Sequence, residues 1–440
     1  MDRNAFFSDT NEHYVTEWMQ GACCTLRVRF RAALADKLRV SLLLQEREEA
    51  VSLSPVSGGS RFREYACTFV TESTVSWLFL IEDRESGEKL YYDRRGVSKT
   101  ARPELCFQHI PGFRTPDWAK GAVMYQIFVD RFRDGNSAND VDTDEYLYIG
   151  LPVQHIENWD EKPSAFDVGY FYGGDLSGVR EKFAYLKDLG VEVIYFNPLF
   201  VSPSNHKYDT QDYEHIDPHL TVIAEDGGEL LPAEAGDNLN ATRYQKRSAD
   251  PKNLEASDRF FAAFTEEAHR FGFRILLDGV FNHCGSFHKW LDREKIYARE
   301  GGYAPGAYLT PDSPYRKYFV FADKRPEAWP DNKSYDGWWD NDTLPKLNYE
   351  ASPELAEQIL EVGEKWLKPP YQVDGWRLDV AADLGHSPDY NHSFWQRFRN
   401  RVKAVREDAL ILAEHYGSPA SWLNGREWDS VMNYDGFMEP

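Results

Sequence analysis

Cysteine is scarce in this sequence, and the few that occur form no recognisable pattern. Five Cys stand among 440 residues, and neither their odd number nor their spacing matches a disulfide framework or a metal site. Thiols of this kind are typical of proteins in a reducing compartment. We therefore expect no cysteine-bound metal, and we expect a cytoplasmic protein.

Long apolar runs are absent, and so is any excess of positive charge. No stretch approaches the roughly 20 apolar residues of a membrane helix, and Met1–Met19 lacks the basic and then apolar pattern of a secretory signal. The formal net charge is −22, from 50 Lys and Arg against 72 Asp and Glu, and it repels phosphate groups. These absences argue against a membrane role and against a nucleic-acid partner.

Aromatic side chains, in contrast, are abundant and make up 15% of the sequence. Flat rings stack on the apolar faces of pyranose sugars, while polar neighbours bind the sugar hydroxyls. A carbohydrate partner therefore fits this composition, although many of the rings must form core.

Short alternating segments between Cys24 and Asp93, separated by turn-rich stretches, are typical of β-strands. They predict an N-terminal β-sandwich over residues 1–115. Pro111 and Pro116 break regular structure and mark the boundary with a second domain over residues 116–440.

From Ala122 onward, strands alternate with helices, which is typical of a parallel sheet covered by helices. Helices are predicted at about 175–189, from a Ser257 cap to Phe271, from Ser352 to Trp366, and at about 393–406. The predicted strands are Val123–Val129, Val191–Phe196, Arg274–Phe281, Val373–Val380, Leu410–Ala413 and Asp429–Asn433. The fold class is therefore α/β, a TIM-type (β/α)8 barrel that is incomplete, because six strands cannot close an eight-stranded barrel.

Polar residues follow three of the predicted strands, where parallel barrels carry their reacting groups. The segment Asp278–His283 follows the third strand, Gly375–Asp379 covers the end of the fourth, and Glu414 follows the fifth. Cleavage of a glycosidic bond with retention requires one ionised and one protonated carboxyl, roughly 5–5.5 Å apart. These strand ends could supply both.

Asp379 and Glu414 are the candidates for the two carboxyls. Arg377 precedes Asp379 by two residues, so it points to the same face of the strand and would hold Asp379 ionised for attack. Glu414, on the neighbouring strand, would be the acid/base. The alternative is that Arg377 and Asp379 form only a structural ion pair, but three polar strand ends together favour the catalytic interpretation.

These segments, together with Leu344–Asn348, resemble the characteristic regions of the α-amylase superfamily of glycoside hydrolases. Leu344–Asn348 is similar to the marker of its neopullulanase, cyclomaltodextrinase and maltogenic amylase branch. The resemblance covers essentially the whole chain. It implies that Asp379 is the nucleophile, that Glu414 is the general acid/base and that Arg377 orients Asp379. It also implies a starch-binding-like N-terminal β-sandwich and a homodimer formed through that module.

The resemblance further implies a set of substrate-binding residues. His206, Tyr208 and His283 would contact the sugar on the non-reducing side of the cleaved bond, with Tyr208 as the stacking ring, and Asp278 belongs to the same set. For His206 and His283 the alternative is a structural histidine.

Oxygen donors cluster at a second place in the sequence. These residues are Asp134, Asn136, Asn139 and Asp140, in a loop after the first strand, and later Gly173 and Asp175. Calcium takes 6–8 oxygens and accepts backbone carbonyls, and the resembled branch has a calcium site in this loop and its Gly-Gly-Asp segment. We expect a structural calcium ion; the alternative is an Asx-rich turn that caps itself.

The sequence departs from the family in several places. The third catalytic carboxylate, in an Asn-His-Asp segment after strand seven, has no counterpart before Pro440, so we expect a truncated and inactive chain. The stretch at about 220–251 looks like an inserted loop near the cleft. Domain B, the excursion after strand three, should span about 284–348, and Trp338-Trp339 within it are either a sugar platform or core.

The function predicted for the complete protein is retaining hydrolysis of α-glucans such as maltodextrin, cyclodextrin or pullulan. Cleavage is expected at α-1,4 bonds, with α-1,6 bonds left open. The enzymatic alternatives are an oligo-1,6-glucosidase and a transglycosylase. The alternative from another class is a non-catalytic glycan-binding or assembly protein, against which the paired carboxyls argue.

Overall fold

The computed structural model describes the chain apart from residues 22, 46–49, 57–58, 60, 165, 298–301, 323–334 and 435–440. The chain divides into two units, Met1–Arg114 and Thr115–Pro440. Within the described ranges, no helix is both long enough and apolar enough to cross a membrane.

The first unit is an antiparallel β-structure. Its strands are β1 Val15–Gln20, β2 Cys23–Ala33, β3 Leu38–Leu44, β4 Val51–Val56, β5 Phe62–Thr71, β6 Val75–Asp83, β7 Lys89–Asp93, β8 Gly96–Ser98 and β9 Phe107–His109. Along β2 every second residue is buried, as expected of a strand with one face in a core. Phe30 of β2 and Phe79 of β6 lie four strands apart in the sheet order, yet their ring centroids are 4.9 Å apart. The sheet therefore folds over onto itself as a sandwich.

The second unit contains the parallel sheet. Its strands are β10 Met124–Ile127, β11 Leu147–Tyr148, β12 Leu151–Pro152, β13 Gln154–His155, β14 Tyr170–Phe171, β15 Val193–Phe196, β16 Phe200–Val201, β17 Asp212–Ile216, β18 Arg274–Gly279, β19 Gly375–Leu378, β20 Leu410–Ala413 and β21 Ser430–Val431. Six of them pair in parallel in the order β10-β15-β18-β19-β20-β21. The predicted incomplete barrel of about six strands is confirmed.

Helices connect the strands of this sheet, as the alternating pattern predicts. They are α1 Leu176–Glu181, α2 Phe183–Asp188, α3 Thr242–Ala249, α4 Pro251–Phe271, α5 Pro353–Lys365 and α6 Pro388–Val405.

Two predicted helix starts were wrong. Helix α4 begins at Pro251, and the Asp250 carboxylate caps it by accepting from Lys252 N, whereas Ser257 is buried within the helix and donates to Ile216 O. Helix α6 begins after Ser387 rather than at about 393. In both cases a cap followed by proline sets the start, and the apolar face used for the prediction begins one turn or more later.

The stretch at about 220–251 was predicted to be a loop, but its last part forms α3. Tyr244 of α3 packs 4.0 Å from the ring of Tyr146. The nearly buried Arg247 pairs with Glu145 and Asp226, each at 2.9 Å. Arg247 of this stretch is therefore buried against Glu145, and the exposed Asp226 pairs with it, which only the tertiary structure shows.

Domain B can be described only in part, because residues 298–301 and 323–334 of the predicted excursion lie outside the described residues. The described remainder contains no named strand or α-helix. Isolated β-bridges join His283 to Lys346 and Gly337 to Pro345, so the two ends of the excursion lie against each other.

Candidate active site

Three neighbouring strands bring four charged residues to one edge of the parallel sheet. Asp278 of β18 and Arg377 of β19 are register partners. Asp379 directly follows β19, and Glu414 directly follows β20, where its N–H donates to Leu378 O at 2.8 Å. Because the carboxyl ends of parallel strands meet at one edge, residues far apart in the sequence become neighbours.

The guanidinium of Arg377 lies at the centre of this cluster. Its Nη1 is 2.8 Å from Asp379 Oδ1 and 3.0 Å from both carboxyl oxygens of Asp278, and its Nη2 is 2.9 Å from Glu414 Oε2. None of the four residues is more than 8% exposed. One cation therefore faces three carboxyls, and the structure places Asp379 and Glu414 on the two amino groups of one side chain.

Asp278 was predicted to bind substrate, which stays a prediction, and in the structure its carboxylate is surrounded by protein donors. It is 1% exposed, and besides Arg377 its carboxylate accepts from the hydroxyls of Tyr195 at 2.8 Å and Tyr208 at 3.0 Å. Its oxygens are thus engaged, and it positions Arg377. The contact of Tyr195 with Asp278 was not predicted. Its only signal in the sequence is that a tyrosine stands among apolar residues of one strand.

Glu414 is held by several donors. Val380 N donates to Oε2 at 3.1 Å, and the hydroxyls of Tyr434 and Tyr416 donate to Oε1 at 2.9 and 3.1 Å. Burial raises the pKa of Glu414, but the charge of Arg377 and these three donors outweigh it, so the pKa of Glu414 lies below its ordinary value. Neither tyrosine could be assigned to Glu414 from the sequence.

The pKa of Asp379 moves in the opposite direction from the one predicted. Burial and the charge of Asp278 raise it well above its ordinary value, and Arg377 offsets this only in part. The reason is that Arg377 is shared: its single charge is divided among three carboxyls, whereas the sequence argument assigned it to Asp379 alone. The directions of the two pKa shifts therefore favour ionisation of Glu414 over ionisation of Asp379.

The predicted sugar-binding side chains differ in accessibility. His206 and Tyr208 are partly exposed, and their rings stack at 5.9 Å. His283 is only 1% exposed, its Nε2 lies 3.2 Å from Tyr208 O, and burial lowers its pKa to about 3. His283 is thus buried and its neutral form is favoured, and its predicted contact with a sugar stays a prediction beside the structural alternative.

The predicted calcium ligands separate into two groups. Asp134 and Asn136 accept from backbone N–H groups two residues ahead, as in a self-capping turn. Asn139, Asp140, Gly173 and Asp175 come together instead. The Oδ1 atoms of Asn139 and Asp140 are buried and have no hydrogen-bond partner among the described residues.

The environment of this second group favours a cation. Burial and the charges of Asp134 and Asp175 raise the pKa of Asp140 to about 7. Gly173 has φ 75°, and a Cβ there would lie 2.6 Å from Asp140 Oδ1, so only glycine lets the backbone approach the carboxylate this closely. Calcium binds carboxylate, amide and backbone carbonyl oxygens. The two oxygens without a hydrogen-bond partner, the neighbouring carboxylates that repel one another and the nearby Gly173 backbone fit this set of ligands.

A further cluster in the first unit was not anticipated. Ligand atoms of Glu17, Cys24 and His109 lie within 4.8 Å of one another. Glu17 is already paired with His109 at 2.8 Å and with Arg114 at 2.7 Å, and it accepts from Gly112 N. Both oxygens of the Glu17 carboxylate therefore already contact protein groups, as in a structural ion-pair network.

Comparisons with known proteins agree with this geometry. A family model described as the alpha amylase catalytic domain matches residues 126–226 and 257–439. The chain is 33% identical over 427 residues to neopullulanase 2 of Thermoactinomyces vulgaris, which covers 93% of this chain and 60% of that protein.

Solved structures give the same result. A cyclomaltodextrinase superposes with a TM-score of 0.57 at 27% identity, over 99% of this chain and 64% of the other. The type III pullulan hydrolase from Thermococcus kodakarensis superposes with a TM-score of 0.58 at 26% identity, over 97% and 64%. The chain thus spans a little over three fifths of the length of these proteins.

Proposed function

Because this chain belongs to the alpha-amylase family, we propose that the protein hydrolyses α-glucans with retention at the anomeric carbon. The family predicted from the motifs is confirmed. The observation that carries the proposed activity is the placement of Asp379 and Glu414, two buried carboxyls on adjacent strand ends, against the two amino groups of Arg377.

The proposed reaction is a double displacement. The Asp379 carboxylate attacks the anomeric carbon while the bond to the leaving oxygen breaks, and that oxygen takes the proton of Glu414. Glu414 then takes a proton from water, whose oxygen cleaves the ester between Asp379 and the sugar. Attack requires Asp379 ionised and Glu414 protonated, the reverse of what the directions of their pKa shifts favour, so a proton must reach Glu414 before attack. Arg377 contacts both groups and stabilises whichever one is ionised.

The named relatives support an α-glucan substrate. They are a neopullulanase, a cyclomaltodextrinase and a pullulan hydrolase. We therefore propose maltodextrin, cyclodextrin and pullulan as substrates. The main bond cleaved is α-1,4, and α-1,6 is the second bond type. Product analysis on panose and isomaltose separates this activity from an oligo-1,6-glucosidase or a transglycosylase. Glycan binding without turnover by the complete protein would favour the non-catalytic alternative.

Two substitutions in the complete protein test the assignment. We expect Asp379→Asn to lower kcat by about a thousandfold or more, because the nucleophile is lost, and Glu414→Gln to lower it by about 10²- to 10⁴-fold, because acid/base catalysis is lost. Reducing-sugar release from maltoheptaose measures both. Asp188→Asn and Glu407→Gln, two exposed carboxyls, are matched controls that should retain activity. Ordinary turnover by Asp379→Asn would overturn the proposal.

Two further expectations stay predictions. Sedimentation tests the homodimer through the N-terminal module, and fractionation of cells tests the cytoplasmic location.

We also propose a structural calcium ion held by Asn139, Asp140, Asp175 and the Gly173 carbonyl. A divalent cation would neutralise the charges that raise the pKa of Asp140 and would bind the two orphaned oxygens. At 100 times its dissociation constant, a bound ion stabilises the fold by about 2.7 kcal/mol.

Thermal unfolding after chelation tests this calcium site. Added Ca²⁺ should raise the melting temperature by several degrees, and Asn139→Ala and Asp140→Asn should abolish that rise. Asp160→Asn, at an exposed carboxyl, should leave it intact. An equal rise in all variants would show that the ion binds elsewhere.

A further inference from the structure

Three side chains that can bind a transition metal meet inside the first unit. Glu17 lies on β1, Cys24 on β2 and His109 on β9, and their ligand atoms are within 4.8 Å of one another. Glu17 and His109 are 92 residues apart along the chain. The expectation of no cysteine-bound metal rested on spacing along the chain, whereas this cluster is formed only when three strands come together.

Glu17 lies on the core face of the sheet, where a carboxylate is unusual. It is the register partner of Leu26, which is fully buried, and partners across an antiparallel pair of strands lie on the same face. The Glu17 side chain is only 3% exposed, and Cys24 is fully buried. A buried carboxylate costs free energy unless it is paired with a cation or binds a metal.

The protein partners of Glu17 compensate its charge only in part. The Arg114 side chain is 68% exposed, and an ion pair that reaches solvent contributes little to stability. The other carboxylate oxygen, Oε2, accepts from Cys24 Sγ at 3.5 Å and lies 2.8 Å from His109 Nε2. The thiol and the imidazole therefore converge on one oxygen, each through the atom that would bind a metal.

The distances between these atoms suit zinc, which binds thiolate, imidazole and carboxylate together. A tetrahedral zinc with a Zn–S bond of about 2.3 Å and Zn–O and Zn–N bonds of about 2.0 Å separates sulfur from oxygen by about 3.5 Å and nitrogen from oxygen by about 3.3 Å. The observed distance from Cys24 Sγ to Glu17 Oε2 is 3.5 Å. His109 Nε2, now 2.8 Å from that oxygen, would have to withdraw by about 0.5 Å. The His109 side chain is 17% exposed, so its ring borders solvent and can move by this amount.

We propose that Glu17, Cys24 and His109 bind a zinc ion, with a water molecule as the fourth ligand. On binding, the Cys24 thiol releases its proton to solvent, and His109 binds through Nε2 with its remaining proton on Nδ1. The carboxylate and the thiolate neutralise the two charges of the ion, and Arg114 turns to solvent. Because β9 pairs with β6, four strands from β2 in the sheet order, the ion joins the two layers of the sandwich. Its role is structural and independent of the proposed glycosidase activity.

Titration of the chelator-treated, reduced chain with Co²⁺, a spectroscopic probe for zinc sites, tests this proposal. Cobalt bound to a thiolate absorbs in the near ultraviolet by charge transfer, which the oxygen ligands of the proposed calcium site cannot produce. The parent should show this band, and added Zn²⁺ should remove it by competing for the same ligands. Cys24→Ala should abolish the band, and His109→Gln should weaken cobalt binding by about tenfold or more. Cys23→Ala is the matched control, because Cys23 Sγ donates to Glu72 instead, and it should keep the band.

Thermal unfolding separates metal binding from damage to the fold. Added Zn²⁺ should raise the melting temperature of the parent and of Cys23→Ala, but not that of Cys24→Ala or His109→Gln. His109→Gln retains a polar side chain beside Glu17, so it tests the site even where Cys24→Ala lowers the melting temperature without metal. A parent that shows no cobalt band, a band that persists in Cys24→Ala, unchanged cobalt affinity in His109→Gln, or an equal rise with Zn²⁺ in all four proteins would overturn the site and leave the proposed function intact.

Discussion

At the scale of single residues, the chemistry of the site depends on how one positive charge is divided. Arg377 contacts Asp278, Asp379 and Glu414, so it cannot fully stabilise three negative charges. Glu414 has three further donors, whereas burial and Asp278 oppose the ionisation of Asp379. Burial and the charge of Asp278 on one side, and the charge of Arg377 with the three donors on the other, therefore move the two pKa values in opposite directions.

Removing one of these donors should shift the pKa of Glu414. Tyr434→Phe deletes the hydroxyl that donates to Glu414 Oε1 at 2.9 Å. Because a hydrogen bond to the ionised form lowers a carboxyl pKa, its loss should raise the pKa of Glu414. In the active protein, the acidic limb of the kcat/KM profile, which follows the carboxyl of lower pKa, should then move to higher pH.

Tyr185→Phe is the matched control, since Tyr185 is exposed on α2. It should leave the acidic limb in place. A NMR titration of the carboxyl carbon in glutamate-labelled protein reports the pKa of Glu414 directly. An unchanged or lowered value in Tyr434→Phe would contradict the assignment of Tyr434 as a donor.

At the scale of elements, one buried carboxylate ties several parts of the barrel together. Asp374, immediately before β19, lies 2.8 Å from His269 of α4, 2.7 Å from Arg274 of β18 and 2.6 Å from Arg406 after α6. Its carboxylate also accepts from Ile275 N. The helices and strands next to the catalytic strand end are thus held in place from the opposite end of β19.

Substituting this carboxylate should destabilise the fold. Asp374→Asn removes the charge partner of Arg274 and leaves Arg406 with the exposed Asp408. Because both arginines reach solvent, the loss in the free energy of unfolding should stay at or below the roughly 3–5 kcal/mol of a fully buried pair. Urea denaturation measures this loss in the free energy of unfolding. Asp408→Asn removes an exposed partner of Arg406 at 2.9 Å and should cost no more than about 1 kcal/mol.

The same carboxylate predicts a dependence on pH. Burial raises the pKa of Asp374, but the hydrogen bond of His269 and the charge of Arg406 outweigh it, so the folded-state pKa is lowered. A lowered carboxyl pKa stabilises the fold fully above the unfolded-state pKa, about 3.9, and this stabilisation is lost as pH falls through the folded-state value. The difference in the free energy of unfolding between Asp374→Asn and the parent should therefore be largest near pH 7 and should shrink below about pH 4. A difference that grows on acidification would contradict this.

At the scale of the whole molecule, the two units have separate hydrophobic cores. The core of the first unit is built from β-strand residues such as Phe30, Trp77 and Phe79. The main core of the second unit surrounds the parallel sheet.

A fragment of residues 1–114 should therefore fold on its own. Its nine strands pair with one another, and its core residues come from within the fragment. We expect a cooperative thermal transition and a near-ultraviolet circular dichroism signal from the fully buried Trp77. A fragment without either signal would show that the first unit depends on the second.

Much of the architecture was determined by the sequence itself. Alternating residues in the first unit predict its β-strands correctly, and the repeat of strands and helices in the second unit predicts its parallel sheet. Both predictions succeed because local periodicity shows which face of an element is buried. The motifs at three strand ends likewise identify the family. The placement of Arg377 beside Asp379 follows from their two-residue spacing on a strand.

The tertiary structure alone decided the features that depend on several distant residues. The pKa of Asp379, the donors from Tyr195 and Tyr434, and the burial of His283 arise from groups on different strands and loops. Helix α3 was missed because its charges are paired only after the chain has folded. A sequence specifies each residue's neighbours along the chain, but electrostatic energies depend on neighbours in space, and those are set by the folding of the whole unit.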